Sequence, residues 1–232
     1  MALNALPEAS QKRETVRRMF DRIASRYDGL NRLLTLGLDQ RWRGRALADI
    51  AAGPGDRLID LACGTGDLAE RAAARGARVI GADFAGEMLR TARKRGVDAR
   101  LVQADAAALP FPSACATVLV CGFALRNFEN LPDVLGEMAR VLEPGGRLAL
   151  LEVDRPSSAW IRAAHGLYFD RVVPRVGGWL SDTEAYAYLP QSTAYLPSAE
   201  ELRALLEKSG FQQIRKTRLL LGAAQILQGV RA

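Results

Sequence analysis

The sequence has few of the residues on which metal-dependent and disulfide-stabilised proteins depend. It contains three cysteines and one histidine, His165. Because Cys63, Cys115 and Cys121 are odd in number and form no Cys-x-x-Cys pair, neither a disulfide framework nor a zinc cluster is expected. The same inventory disfavours a Ser-His-Asp relay. We therefore expect no metal site and interpret His165 as structural.

Long apolar runs and a leader segment are also missing. No stretch approaches the roughly 20 apolar residues of a membrane-spanning helix, and no basic segment followed by an apolar one opens the chain. Hydrophobic residues make up 49% of the 232 residues and charged residues 25%, which is typical of a globular domain and excludes general disorder. The sequence predicts one cytoplasmic domain, with peripheral contact at the inner face of the cell membrane left open.

Basic residues outnumber acidic ones near the amino terminus. The net charge is +6, and residues 1–45 carry ten lysines and arginines against five acids. From Val16 to Tyr27 apolar residues recur at helical spacing, which predicts an amphipathic basic helix. Such a helix can face nucleic acid, anionic lipid or an acidic substrate, or can simply be solvated, and its charge alone does not choose among these.

After Gly53-Pro54-Gly55 the sequence alternates short apolar runs with helical patterns. This alternation is typical of a parallel sheet covered on both faces. We predict an α/β fold with a doubly wound, Rossmann-like sheet, mostly parallel and ending in an antiparallel hairpin. The predicted strands are Arg57–Ala62, Arg78–Ala82, Ala99–Val102, Thr117–Cys121, Arg147–Val153, Ile214–Leu220 and Ala224–Val230. The predicted helices are Asp67–Ala74, Gly86–Arg95, Leu131–Leu142 and Ser198–Ser209.

The whole chain, 1–232, is predicted to be one domain with four parts. Residues 1–52 form a helical cap, and residues 53–155 form the core that binds a cofactor. Residues 156–197 interrupt the alternation with aromatic residues and prolines and are interpreted as an inserted substrate lid. Residues 198–232 supply the last helix and two strands.

A glycine turn follows the first predicted strand. In Asp60-Leu61-Ala62-Cys63-Gly64-Thr65-Gly66 the two glycines let backbone N–H groups approach a ligand, and the next helix begins there. Gly64-x-Gly66-x-x-Ala69 also fits the dinucleotide-binding pattern, with Asp83 near the expected ribose-binding offset. Both an NAD site and a methyl-donor site are therefore hypotheses at this stage.

A third acid favours the methyl donor. Asp105 follows the third strand, so Asp60, Asp83 and Asp105 come at the carboxyl ends of three strands. A donor with an adenine, a ribose diol, a sulfonium and an amino acid would use all three acids. An NAD-dependent oxidoreductase would instead need a pair such as Tyr-x-x-x-Lys, and no lysine here stands four residues after a tyrosine.

Several motifs resemble those of the ubiquinone/menaquinone biosynthesis C-methyltransferase family, within the class I S-adenosylmethionine-dependent methyltransferases. The glycine turn, Gly81-Ala82-Asp83 and Gln103-Ala104-Asp105-Ala106 resemble the wider class. The narrower resemblance rests on runs at 19–28, 122–127, 140–147 and 186–192, which include Phe123-Ala124-Leu125-Arg126-Asn127 and Tyr186-Ala187-Tyr188-Leu189-Pro190-Gln191-Ser192. It covers nearly the whole chain.

The resemblance implies a site for S-adenosyl-L-methionine. It places Asp83 on the ribose and Asp105 near the adenine amino group, with Thr65 and Ala106 also in contact. Gly122 departs from the pattern, because some members carry serine there. The donor-binding residues that we expect are Asp60, Cys63, Gly64, Thr65, Gly66, Asp83, Phe84, Asp105, Ala106 and Gly122.

The expected reaction moves the sulfonium methyl group to a ring carbon of a polyprenyl quinol. Ionising a ring hydroxyl, whose reference pKa is about 10, would make that carbon more nucleophilic. Arg126 is the candidate cation beside this oxygen, and Asn127 the candidate hydrogen-bonding partner. Tyr27 and Asp28 are the alternatives for handling the proton. Arg126 could instead simply pair with a surface acid.

The resemblance implies that the chain converts demethylmenaquinol to menaquinol. Alternatives are methylation of a polyprenyl methoxybenzoquinol in ubiquinone biosynthesis, an NAD-dependent oxidoreductase, and a binding protein without turnover. No nucleic-acid partner is expected, because neither Cys115 nor Cys121 follows a proline and no Pro-Pro-aromatic run follows the fourth strand. The cap's arginines and leucines could contact a membrane, and a homo-oligomer is left open.

Overall fold

The computed structural model describes residues 9–154, Tyr188 and residues 191–232. The predicted lid at 156–197 and its aromatic residues lie mostly outside the described residues. In the described part, no helix is both long enough and apolar enough to cross a membrane.

Within the described residues, seven strands form one sheet in the order β3-β2-β1-β4-β5-β7-β6. The first five pair in parallel, whereas β7 pairs antiparallel with both β5 and β6. The predicted doubly wound, mostly parallel fold with an antiparallel hairpin is confirmed. The strands are β1 (Arg57–Leu61), β2 (Arg78–Asp83), β3 (Arg100–Gln103), β4 (Ala116–Gly122), β5 (Leu142–Val153), β6 (Phe211–Leu219) and β7 (Ala224–Arg231).

Helices cover both faces of this sheet. One face packs apolar side chains of α6 and α7, such as Leu135 and Leu206, and the other packs α3 and α4 through residues such as Leu47 and Leu68. Burial on both faces explains why the central strands are nearly continuous apolar runs. The described helices are α1 (Ala9–Ile23), α2 (Tyr27–Leu34), α3 (Leu38–Asp49), α4 (Asp67–Ala73), α5 (Gly86–Lys94), α6 (Leu131–Val141) and α7 (Ala199–Lys208).

The amino-terminal helix ends earlier than its apolar periodicity predicts. The single helix expected through Tyr27 is divided, because α1 ends at Ile23 and α2 begins at Tyr27 after a turn. Val16, Met19 and Ile23 pack in one cluster with Met88 of α5. The division lets the cap follow the carboxyl ends of the strands, so that both α1 and α2 contribute to the site described below.

The strand β5 begins earlier than predicted. Leu142, expected to end a helix, pairs with Ala116, and the next pair joins Arg147 to Val118. Residues 143–146 therefore form a bulge, which takes up extra residues on one strand of a pair. Gly145 lies within it at a φ of 79°, a conformation that favours glycine.

Candidate active site

A cavity of about 350 Å³ opens at the carboxyl ends of β1 to β4. This is the edge at which doubly wound sheets bind ligands, and the volume is within the range of small-molecule sites. The cap closes one side through Phe20 and Tyr27, whose rings pack edge to face 5.8 Å apart. The predicted site residues that line the cavity are Tyr27, Gly64, Asp83, Phe84, Asp105, Ala106, Gly122 and Asn127.

The glycine turn is built by backbone conformations that few other residues adopt. Gly64 and Gly66 have φ values of 56° and 90°. A Cβ at Gly66 would lie 2.9 Å from Cγ2 of Val97, so a side chain there would also clash. The turn leads directly into α4 and leaves the Gly64 backbone facing the cavity.

Asp83 is held in place at the end of β2. The backbone N–H groups of Gly64 and Ala85 donate to its two carboxylate oxygens, each at 2.8 Å. Burial raises the pKa of Asp83 to about 6, although these hydrogen bonds oppose the rise. Since a carboxylate oxygen can accept more than one hydrogen bond, Asp83 retains acceptor capacity toward the cavity, where it fits a ribose diol.

Asp60 lies deeper, behind the glycine turn. Its carboxylate is almost completely buried, and neither oxygen forms a hydrogen bond of normal geometry within the described residues, although the backbone N–H of Ala69 acts on its pKa. Burial raises the pKa of Asp60 to about 7, and the charge of Arg43 opposes the rise. An unpaired buried carboxylate is costly unless a ligand satisfies it. Its chemistry fits a donor that carries positive charge.

The adenine end of the predicted donor site is bordered by an ion pair. Nη2 of Arg13 in α1 lies 2.8 Å from Oδ2 of Asp105, and the backbone N–H of Ala107 donates to Oδ1 at 3.1 Å. Arg13 also lines the cavity. The cap thus contacts the same acid that the family resemblance places near adenine.

Thr65 and Asp28 contact each other rather than the cavity. The hydroxyl of Thr65 donates to the carboxylate of Asp28, which also accepts from Arg95 at 2.8 Å. Burial raises the pKa of Asp28 and that of Tyr27, so the Tyr27 hydroxyl holds its proton near neutral pH. Of the two predicted proton-handling residues, Tyr27 lines the cavity and Asp28 does not.

Arg126 does not line the cavity either. Its Nη1 forms an ion pair with Glu152 and donates to the Phe123 carbonyl at 3.1 Å, while its Nε donates to Ser192 Oγ at 3.1 Å. Asn127 does line the cavity, and Tyr188 donates to its Oδ1 at 3.3 Å. The catalytic assignments to Arg126, Asn127, Tyr27 and Asp28 stay predictions.

Two further predicted donor-site residues, Cys63 and Gly66, stabilise the glycine turn itself. Cys63 and Gly66 do not line the cavity; the Gly66 N–H donates to the Cys63 carbonyl at 2.9 Å. Burial raises the pKa of Cys63 and Cys121 well above the ordinary thiol value, so both thiols stay protonated. Across residues 9–154, 188 and 191–232, no group of three or more His, Cys, Asp or Glu side chains is placed to hold a metal ion.

Two buried charges near the site were missed by the sequence analysis. Glu152 could have been found as the lone acid in the apolar run Leu148–Val153. Arg43 had no such signal, because it is one of ten basic residues in the first 45. Its side chain is only 8% exposed and borders Gly122 and Phe123.

The residues from 8 to 231 match the ubiE/COQ5 methyltransferase family. The chain belongs to this family. It is 45% identical to the demethylmenaquinone methyltransferase of Thermus thermophilus, over 92% of this chain and 100% of that protein. It is 38% identical to the ubiquinone/menaquinone biosynthesis C-methyltransferase UbiE of Syntrophotalea carbinolica, over 94% of this chain and 95% of the relative. The resemblance predicted from the motifs is confirmed, which decides against the NAD-dependent alternative.

Solved structures share the fold at low sequence identity. A SAM-dependent methyltransferase from Thermotoga maritima aligns with a TM-score of 0.63 at 19% identity, over 93% of this chain and 99% of its own. The [4+2]-cyclase SpnF aligns with a TM-score of 0.66 at 17% identity, over 94% and 96%. Because one of these proteins is named a cyclase, the fold alone does not decide the chemistry.

Proposed function

We propose that this ubiE/COQ5 family member is an S-adenosylmethionine-dependent C-methyltransferase that converts demethylmenaquinol to menaquinol. The observation that carries the proposal is its 45% identity to a demethylmenaquinone methyltransferase across that relative's entire length. The matched region spans the relative from end to end. The cavity supplies a place for a donor and acceptor at the end of the sheet expected for this fold.

The donor-binding role is assigned to groups from three strand ends. Asp105 would accept from the adenine amino group, Asp83 from the ribose hydroxyls, and Asp60 would face the donor's positive charge. Gly64 presents its backbone, and Phe84 adds apolar surface. When bound, S-adenosylmethionine supplies a methyl group on a sulfonium, which a carbon nucleophile can attack.

The acceptor would lie on the side of the cavity that contains Asn127 and Tyr27. Asn127 is fixed by Tyr188 and can hydrogen-bond a ring hydroxyl. We assign Arg126 a positioning role, because its three partners hold the short turn Leu125–Asn127 that carries Asn127. Its charge also lowers the pKa of Tyr27 and Tyr188 against the effect of burial, so its field extends to groups around the cavity.

Peripheral contact with a membrane is part of this proposal, because a polyprenyl quinol resides in lipid. Leu33 and Leu36, in and after α2, are 49% and 81% exposed. Arginines of α1 would add electrostatic attraction to anionic lipid, although Arg17 and Arg18 share the carboxylate of Glu14. Co-sedimentation with anionic vesicles should fall as salt is raised. Retention unchanged in high salt would contradict the electrostatic part.

The first test is calorimetric titration with S-adenosylhomocysteine and, separately, NADH. We expect binding of S-adenosylhomocysteine alone. Turnover is then measured with short-chain demethylmenaquinol and methoxybenzoquinol analogues, and the naphthoquinol should be preferred. Asp83→Ala should lose donor binding, whereas Asn127→Ala should bind the donor and lose turnover. Binding of NADH alone, or methylation of neither ring, would overturn the proposal.

A further inference from the structure

Arg43 is a buried cation beside the cavity that the expected donor-binding set does not include. It lies in α3, its side chain is 8% exposed, and its Cζ is 5.3 Å from the centre of the Phe123 ring. A Cβ at Gly122, which lines the cavity, would be only 3.1 Å from Nη1 of Arg43. The guanidinium therefore packs directly against the cavity wall at the end of β4.

The guanidinium is poorly satisfied for a buried group. Among the described residues its Nε has no hydrogen-bond partner, and its nearest carboxylate oxygens, on Asp39 and Asp67, are 3.6 and 3.8 Å away. Both oxygens already accept from Nε2 of Gln40, each at 2.8 Å. A buried arginine normally forms short hydrogen bonds, so Arg43 has donor capacity left for a ligand.

The strand order indicates which part of the donor would lie near Arg43. Asp105 follows β3 and Asp83 ends β2, so adenine and ribose are assigned to one side of the sheet. The remaining part of the donor must extend toward β1 and β4, the next strands in the sheet. There the cavity wall includes Gly64 and Gly122.

Two buried groups of opposite charge, each with hydrogen-bonding capacity left, lie beside this part of the cavity wall. Neither carboxylate oxygen of Asp60 in β1 forms a hydrogen bond of normal geometry within the described residues, and the charge of Arg43 acts on its pKa. The amino-acid tail of S-adenosylmethionine carries an ammonium and a carboxylate. A zwitterion of this kind can satisfy a buried acid and a buried arginine together, which neither a neutral nor a singly charged group can do.

We propose that Arg43 binds the carboxylate of the methyl donor's amino-acid tail, opposite the ammonium, which faces Asp60. This inference rests on the proposed function, because it takes S-adenosylmethionine as the donor. It also explains why residue 122 is a glycine, because a Cβ there would lie 3.1 Å from Nη1 of Arg43 and 2.9 Å from Cδ1 of Leu68. The site therefore has room for the guanidinium where a side chain would displace it.

The test compares two ligands that differ only in the carboxylate, S-adenosylmethionine and decarboxylated S-adenosylmethionine, by calorimetric titration. The wild-type protein should bind S-adenosylmethionine roughly 10- to 100-fold more tightly, the range expected for hydrogen bonds to a charged group. Arg43→Gln should lose this preference, with the two affinities within about threefold, because the ligand's carboxylate no longer meets a cation.

Decarboxylated S-adenosylmethionine also reports on folding, since Arg43→Gln should bind it about as well as the wild type does. The matched control is Arg41→Gln, because Arg41 is exposed on the same helix, and it should keep the wild-type preference. An unchanged preference in Arg43→Gln would overturn the inference. So would equal affinities in the wild-type protein, a result that requires no variant to fold. If the wild type binds neither ligand, the proposed function itself fails.

Discussion

Arg126 and Glu152 form an ion pair that is almost completely removed from water, with exposed side-chain fractions of 7% and 0%. The pair joins the short turn after β4 to the end of β5. Glu152 also accepts from the backbone N–H of Val153 at 2.9 Å. A cation and an anion so deeply buried depend on each other, because either one alone would be an uncompensated charge.

Glu152→Ala should therefore destabilise the protein strongly. We expect a loss of about 3–5 kcal/mol in the free energy of unfolding, which is typical when one partner of a buried pair is removed. Urea denaturation measures this loss. The matched control is Glu143→Ala, which breaks a pair with Arg57 that is 44% and 39% exposed; it should cost less than about 1 kcal/mol. Similar losses in both variants would contradict a special role for burial.

Gly122→Ala should reduce stability although its backbone conformation suits any residue. The added Cβ would lie 2.9 Å from Cδ1 of Leu68 and 3.1 Å from Nη1 of Arg43. Overpacking of this kind typically costs about 1–3 kcal/mol. Gly136→Ala in α6 is the control, because a Cβ there meets nothing within 4 Å, and it should stabilise the helix by about 0.5–1 kcal/mol. Thermal denaturation should separate the two variants in opposite directions.

The fold was largely predictable because its central strands are buried on both faces. Such strands are continuous apolar runs, and β1 to β4 begin and end within about two residues of their predictions. The beginning of β5 was not predictable, since Leu142 joins the sheet by pairing with Ala116, a residue distant in sequence. The break after Ile23 was equally hidden, because the apolar periodicity continues to Tyr27.

The candidate site was predictable only where local sequence fixes position. Asp83 ends β2 and Gly64 comes three residues after β1, so their place at the carboxyl edge of the sheet could be inferred, and both line the cavity. Arg126 and Asn127 are neighbours in sequence, yet only Asn127 lines it. Which of two adjacent side chains turns inward depends on distant partners. For Arg126 these are Glu152 and Ser192.

Asp60 should make the stability of the protein fall as the pH rises. Its pKa is about 7 in the folded protein, against 3.8 for the ordinary carboxyl. Between these values the folded state holds a proton that the unfolded state releases, so the free energy of unfolding decreases from about pH 4 to pH 7.

Asp60→Asn should remove this part of the decrease. Compared with the wild type, the variant should be more stable at pH 8, on the order of 1–3 kcal/mol, because one unit of pKa corresponds to about 1.4 kcal/mol. At pH 4 the difference should vanish. Urea denaturation at both pH values, without any donor, measures it. An advantage of Asp60→Asn that is as large at pH 4 as at pH 8 would show that ionisation is not its cause.

Asp105 contacts Arg13, and three substitutions can separate this ion pair from the adenine-binding role assigned to Asp105. Asp105→Asn keeps an oxygen acceptor but loses the charge, so we expect its affinity for S-adenosylhomocysteine to stay within about threefold of wild type. Asp105→Ala removes the acceptor and should weaken binding by about tenfold. Arg13→Gln should leave affinity nearly unchanged, because the pair is 58% and 33% exposed. Calorimetric titration of the three variants with S-adenosylhomocysteine measures these affinities. If Asp105→Asn and Arg13→Gln both lost as much affinity as Asp105→Ala, the function of Asp105 would be to hold α1 over the cavity rather than to bind adenine.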